Sequence, residues 1–148
     1  YPEKLIPKLA TRLARGETCC IHGDGTNKRH FVHVRDVVCA FELIVHRGVT
    51  GEIYNIGTLD EFSNLEIARK IARHMRPSDN PDSHIEFVAD RAFNDVRYCL
   101  SFKKLTELGW KPEVEFESGL ASTLRWYAQC DVNSYWKHVG AAIQPHPT

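Results

Sequence analysis

The chain has 148 residues, with nineteen basic and nineteen acidic side chains that cancel to a formal charge of zero. A chain of this length buries about two thirds of the surface that it exposes when unfolded, so one domain without disulfide or metal staples is expected. Balanced charge excludes the global positive field of a nucleic-acid binder and the polybasic block of a membrane-surface protein, and no apolar run is long enough to span a bilayer.

In chain order, Leu9, Ala10, Leu13 and Ala14 recur at helical spacing and predict a helix ending at Gly16. Cys19-Cys20-Ile21-His22 and Arg29-His30-Phe31-Val32-His33-Val34 are β-like runs joined by Gly23-Asp24-Gly25-Thr26-Asn27, which predicts a hairpin with a longer loop. The glycines of that loop suit either an anion nest or a plain turn. Asp36 is expected to cap a helix that buries Val37, Ala40, Phe41 and Ile44 on one face and stops at Gly48. Between Gly51 and Gly57, Glu52-Ile53-Tyr54-Asn55-Ile56 reads as a strand buried on both faces, as parallel strands are. Asn55 then needs partners, either as a satisfied structural amide or as a ligand contact at the strand's carboxyl end.

Ser63-Asn64-Leu65-Glu66 matches the capping box, and Leu65, Ala68, Ala72 and Met75 mark the inner face of the helix that follows. After a polar loop, Ile85-Glu86-Phe87-Val88 reads as a strand. Ser101 is expected to cap a short helix through Lys104 and Leu108 that Gly109 stops, and Leu120, Thr123, Leu124 and Tyr127 mark another amphipathic helix. The tail from Val132 reads as an irregular cover packed by Tyr135, Trp136 and Val139.

Five cysteines without a Cys-x-x-Cys pair predict free thiols in a reducing cytoplasm. His30 and His33 fall three apart on a predicted strand, so they point to opposite faces and are not expected to share a metal. The stretch from Asp90 to Tyr98 gathers two arginines, two aspartates, an amide and two aromatics directly after a strand. Arginine grips phosphate with a rigid fork; the alternative is a solvated loop whose charges pair with one another. No dinucleotide fingerprint, phosphate-binding P-loop, nucleophile elbow or tyrosine with lysine four positions on is present. The residues alone therefore give a soluble α/β domain with an anion site expected from Arg29, Asn55 and Arg91.

The segments Tyr1-Pro2-Glu3-Lys4-Leu5-Ile6-Pro7, Ile21-His22-Gly23-Asp24-Gly25, Arg29 before Val34-x-Asp36, Gly51-Glu52-Ile53-Tyr54-Asn55-Ile56-Gly57, Asp90-Arg91 with Asn94-Asp95-x-Arg97-Tyr98, Leu108-Gly109-Trp110-Lys111-Pro112 and Trp126-Tyr127 occur in this order. Together they resemble the carboxyl-terminal half of nucleoside-diphosphate-glucose 4,6-dehydratases, of the extended short-chain dehydrogenase/reductase superfamily. The resemblance implies an α/β fold in which residues 1–148 supply the last strand and helices of a Rossmann-type half, together with the small sugar-nucleotide-binding domain. It implies an amino-terminal NAD-binding part that this sequence lacks.

By the same resemblance, Arg29 and Arg91 would clamp the diphosphate of dTDP-glucose or UDP-glucose, and Asn55 and Asn94 would add hydrogen bonds. Lys4, Leu5, Cys20, Ile21 and His22 would line the nucleotide pocket. The family's reaction oxidises C4 with NAD, removes water across C5 and C6, and returns the hydride to C6. The family's glycine fingerprint, catalytic tyrosine and lysine, and Thr-Asp-Glu segment are all missing here, so this polypeptide alone is expected to bind NAD poorly and to be inactive. Its full-length parent is expected to be a cytoplasmic homodimeric lyase.

Ala92 stands in place of the proline usual after Asp-Arg, and His22 where bacterial members more often carry tyrosine. Ile21-His22-Gly23-Asp24-Gly25, Phe93-Asn94-Asp95 and Pro145-His146-Pro147 look more like eukaryotic members, including the UDP-glucose enzymes of rhamnose synthesis. A sugar-nucleotide epimerase or decarboxylase of the superfamily would reuse the arginine clamp, and a non-catalytic nucleotide-binding fragment is the remaining alternative.

Overall fold

Helix α1 (Leu5–Ala14) buries Leu9, Ala10 and Leu13 completely and turns out of the helix at Gly16, whose φ of +78° only glycine adopts freely. This computed structural model describes residues 1–90, 95–97 and 99–145. The α1 face packs on strand β1 (Cys19–His22), helix α3 (Asn64–Met75) and helix α5 (Phe116–Gln129). Ile67, Ala68, Ile71, Ala72, Leu120 and Leu124 complete this main core, and the two alanines let α3 approach α1 closely. Each fully buried leucine or isoleucine in it contributes about 1.5–3 kcal/mol.

The predicted hairpin does not form. β1 pairs in parallel with β4 (Ile85–Val88), from Cys19 opposite Ile85 to His22 opposite Val88, while β2 (Lys28–His30) pairs antiparallel with β3 (Glu61–Ser63). The glycine loop between β1 and β2 explains the divergence. Gly25 has φ +72°, and a side chain there would come within 2.6 Å of Ile21 Cγ2. The carbonyls of Gly25 and Asn27 accept hydrogen bonds from the Leu65 and Asn64 amides, at 3.1 and 3.0 Å. The loop thus docks the start of α3 and leads the chain away from β1 into a second small sheet.

Helix α2 (Val34–Arg47) starts earlier than expected. His33 caps it, its Nδ1 accepting from the Arg35 amide at 3.3 Å. Asp36 lies inside the first turn, 3% exposed, and binds another part of the chain: Oδ1 accepts from the Glu113 amide at 3.1 Å and Oδ2 from the Val114 amide at 3.2 Å. Its carbonyl accepts from Trp110 Nε1 at 3.1 Å, so one residue holds the whole turn ahead of α5.

The buried stripe of α2 is also rotated from the expected one. Ala40, Leu43 and Ile44 pack on Leu105, Trp110 and Phe102 in a second cluster, whereas Phe41 is 58% exposed. Phe41 instead joins Val34, Val38 and Val45 in a second apolar row, at i, i+4, i+7 and i+11, open to solvent.

Residues 52–56 form no strand, and Ile53 is 79% exposed rather than buried. A strand is stabilised by its ladder, and no strand among the described residues pairs with this segment. Local bonds hold it instead: Tyr54 Oη accepts from the Val49 amide at 3.0 Å, and Asn55 Nδ2 donates to the Ser101 carbonyl at 3.0 Å. Ser101 does not cap the short helix α4 (Lys103–Glu107), whose N-cap position is Phe102, while Gly109 ends the turn after it with φ +101° as expected.

The tail is more regular than expected. α6 (Val132–Tyr135) and α7 (Val139–Ala142) bury Val132, Val139 and Ile143 around Trp136.

The capping box is present in full, with Glu66 N–H donating to Ser63 Oγ at 3.1 Å and Ser63 N–H donating to Glu66 Oε2 at 2.7 Å. The Ser63 amide is the main reason that the Glu66 carboxyl sits below the usual carboxylate range. A depressed folded pKa gives stability that is present above the ordinary glutamate value of about 4.3 and lost as pH falls through the folded value. Glu66→Gln is therefore expected to lower stability at neutral pH and to converge with the parent in acid, read from urea midpoints at several pH values. A difference independent of pH would remove the carboxylate from this account. Asp36→Ala strands two backbone donors and is expected to cost about 1–3 kcal/mol; an unchanged denaturation midpoint would show that the turn does not depend on it.

Candidate functional site

A cleft of about 790 Å³ opens where the carboxyl end of β1 meets the start of α1. Parallel strands present ligand-facing side chains at this end. β1 contributes Cys20, Ile21 and His22, and α1 with its leading turn contributes Lys4, Leu5 and Lys8. Arg29 projects from β2, and Phe31 and Asn64 close the same side. Six of the residues expected from the sequence, Lys4, Leu5, Cys20, Ile21, His22 and Arg29, are thus brought together. Asn55 is not among the lining residues, since its amide bonds Ser101. Arg91 and Asn94 lie outside the described residues.

Positive charge dominates the cleft. Among the described lining residues, Lys4, Lys8 and Arg29 outnumber one carboxylate, Glu3, and His22 lines the same cleft. Lys4 and Lys8 stand one helical turn apart, so they share a face of α1. Arg29 is half-buried, with Nη1 donating to the Lys28 carbonyl at 2.7 Å, which orients the guanidinium. It also borders a second cavity, of about 100 Å³, lined by Ile56, Gly57 and Leu100. Leu5, Ile21 and Phe31 add apolar surface, so the cleft suits an anion joined to a flat, less polar group.

His22 ties the cleft to the end of β4, its Nδ1 lying 3.0 Å from the Ala89 carbonyl oxygen. Because that oxygen only accepts, Nδ1 carries the hydrogen. Gly23 next to it has φ +60°, and a Cβ there would stand 2.9 Å from Asp90 Oδ2. The loop that begins at Asp90 therefore leaves its strand directly against the cleft's β1 end.

The end of that loop is anchored as well. Lys28 N–H donates to the Val96 carbonyl at 2.9 Å, and the buried Asn27 donates through Nδ2 to the Asp95 carbonyl at 3.1 Å. Arg97 forks onto Glu61, Nε to Oε1 at 2.6 Å and Nη2 to Oε2 at 3.0 Å. This hydrogen bonding is the main reason that Glu61 sits below the usual carboxylate range. Arg97 is thus a brace between β3 and the loop.

Nucleophilic and metal chemistry find little support in these side chains. Burial pushes the Cys19 thiol up to about 12 and raises Cys20 also, which keeps both protonated. Among the described residues no group of three or more histidine, cysteine or acidic side chains is placed to hold a metal, and no helix is long and apolar enough to cross a membrane. His30 ends β2 and His33 caps α2, so the two belong to different elements.

Sequence reasoning missed Lys8, Phe31 and Asn64, and it missed the far wall of the cleft, made by Ala141, Ala142, Gln144 and Pro145. Lys8 was within reach, lying four residues after Lys4. The wall was not, because nothing local marks a tail as the neighbour of a helix more than a hundred residues earlier.

Residues 1–123 match the family model described as GDP-mannose 4,6 dehydratase. The dTDP-D-glucose 4,6-dehydratase of Mus musculus is 39% identical over 150 aligned residues, which cover 99% of this chain and 42% of the relative. A trifunctional UDP-glucose 4,6-dehydratase/UDP-4-keto-6-deoxy-D-glucose 3,5-epimerase/UDP-4-keto-L-rhamnose-reductase of Arabidopsis thaliana is 42% identical over 147 residues, covering 99% of this chain and 21% of that protein. Among solved structures, the dTDP-glucose 4,6-dehydratase of Streptomyces venezuelae with NAD bound superposes with a TM-score of 0.83 at 38% identity, over 94% of this chain and 42% of that one. The UDP-glucose 4-epimerase of Thermotoga maritima with UDP-glucose gives 0.76 at 28% identity, over 85% and 40%. The chain spans less than half the length of each of these proteins. The family match over residues 1–123, together with the shared α/β architecture, places the chain in the GDP-mannose 4,6 dehydratase family, with the fold of the extended short-chain dehydrogenases/reductases.

Proposed function

We propose that the chain is the sugar-nucleotide-binding part of an NAD-dependent nucleotide-sugar 4,6-dehydratase, one that converts dTDP-glucose or UDP-glucose to the 4-keto-6-deoxy sugar nucleotide for deoxysugar or rhamnose synthesis. The observation that carries this reading is the cleft, in which Lys4, Lys8 and Arg29 converge beside the apolar surfaces of Leu5, Ile21 and Phe31. In this reading the Arg29 fork takes the diphosphate from the β2 side, and Arg91 and Asn94 take it from the loop that starts at Asp90. Leu5, Ile21 and Phe31 receive the base.

The residues of this chain do not fit NAD. A dinucleotide site needs a glycine turn that runs from a strand into a helix. The Gly23–Gly25 turn leads from β1 into β2 and not into a helix. We therefore assign NAD mainly to an amino-terminal part, and no catalytic residue to residues 1–148. Two exposed features support a missing neighbour: the Val34, Val38, Phe41 and Val45 row on α2, and the segment around Ile53, which pairs with no strand among the described residues. Five free thiols fit a cytoplasmic parent, and the reading carries a homodimeric one.

The structural likeness to a UDP-glucose 4-epimerase favours a second reading, epimerisation at the same cleft. Identities of 38–42% to the dehydratases named above, against 28% to that epimerase, favour dehydration.

Calorimetry with UDP, dTDP and UDP-glucose tests the site. Charged hydrogen bonds of about 1.5–3 kcal/mol put the expected loss for Arg29→Ala and for Arg91→Ala at roughly tenfold or more each. Full affinity in either variant would take that arginine out of the clamp. The 148 residues alone are expected to show no turnover of dTDP-glucose or UDP-glucose with added NAD; formation of the 4-keto product by them would overturn the division of labour.

A further inference from the structure

We infer that residues 139–145 act as a strap that completes the cleft, and that Lys8 is the positioning residue that couples the strap to the ligand; the inference rests on the cleft being a nucleoside-diphosphate site. α7 begins after His138, the only non-glycine residue among those described with left-handed backbone, at φ +62°. From that corner the strap divides its side chains between two surfaces. Val139 and Ile143 are fully buried against Val132 and its aromatic neighbours, while Ala141, Ala142, Gln144 and Pro145 face the cleft.

Cations on α1 hold the strap by its backbone. Lys8 Nζ donates to the Gln144 carbonyl at 2.5 Å, and Arg12 Nη1 donates to the Ile143 carbonyl at 3.1 Å. Both side chains are buried, and they lie one turn apart on the row that begins with Lys4. Arg12 is fixed further by Glu17 at 3.0 Å and by the Thr18 carbonyl at 2.7 Å, so it acts as the permanent anchor.

Lys8 differs from Arg12 because it also lines the cleft. An ammonium with three donors serves a carbonyl and an anion at once, so a bound diphosphate and a docked strap favour the same placement of Lys8. Thermodynamic reciprocity then requires that whatever the strap adds to ligand affinity, the ligand adds to strap docking.

Hydrogen exchange at the amides of residues 141–145 and calorimetry with UDP test this on the 148-residue chain. Without ligand, Lys8→Met is expected to speed exchange there, and Lys8→Arg to restore protection and UDP affinity together. Ile143→Asp releases the strap from a position outside the cleft lining, and is expected to weaken UDP binding by at least about fivefold, with UDP slowing exchange in the parent by a matching factor. Equal UDP affinity in Ile143→Asp, with 141–145 exchanging freely, overturns the strap while leaving the site intact. Absence of UDP binding to the unaltered chain overturns both readings.

Discussion

Everything at the cleft depends on the parallel register of β1 against β4. An antiparallel pair closes with a tight turn, whereas a parallel pair obliges the chain to travel the length of the strand again before it returns. Residues 23–84 make that journey, and they hold α2, α3 and the whole of the second sheet. Because both strands run the same way, His22 and Val88 finish at one end, and the chain leaves both at the same place. Lys4 at the start of α1, Lys8 on α1 and Arg29 on β2 line one cleft because this register fixes where β1 stops.

Local rules were legible in the sequence, and choices of partner were not. The Ser63 capping box, the glycine stops at Gly16 and Gly109, and the stripe of α5 each follow from contacts within a turn or two of chain, and each is present; the α3 stripe is shifted, since Ile67 and Ile71 join Ala68 and Ala72 at its buried centre in place of Leu65 and Met75. The hairpin failed because adjacency in sequence favours β1 with β2, while the ladder is decided by β4, more than sixty residues away. Asp36 looked like a cap because it precedes an apolar stripe; its carboxylate serves amides of residues 113 and 114, which no local pattern reveals. Residues 52–56 carry the composition of a doubly covered strand, and composition reports what a segment is built to contact, whether or not the contact is there.

The site divides in the same way. Charge and residue type singled out Arg29, whereas Lys4, Leu5, Cys20, Ile21 and His22 came from family resemblance, since nothing in their own chemistry marks them. The cleft collects all six. Of the two readings open for Asn55, a satisfied structural amide or a ligand contact, the observed bond is the structural one: Nδ2 donates to the Ser101 carbonyl and steadies the segment before α4. Helix α2 carries two apolar rows, one turned to Trp110 and one to solvent, which is the pattern of a helix suited to lie between layers and not at an outer surface.

Gly23 gives the cleft a dimension set by a missing atom. With no Cβ, its backbone lets the Asp90 carboxylate come to rest where a side chain would stand 2.9 Å away. The gap between the two strand ends is therefore as narrow as two backbones and one carboxylate permit. The distance at which Asp90 stands from the end of β1 is set at that one position, so any side chain placed at Gly23 would have to displace Asp90 before it disturbed a residue that lines the cleft.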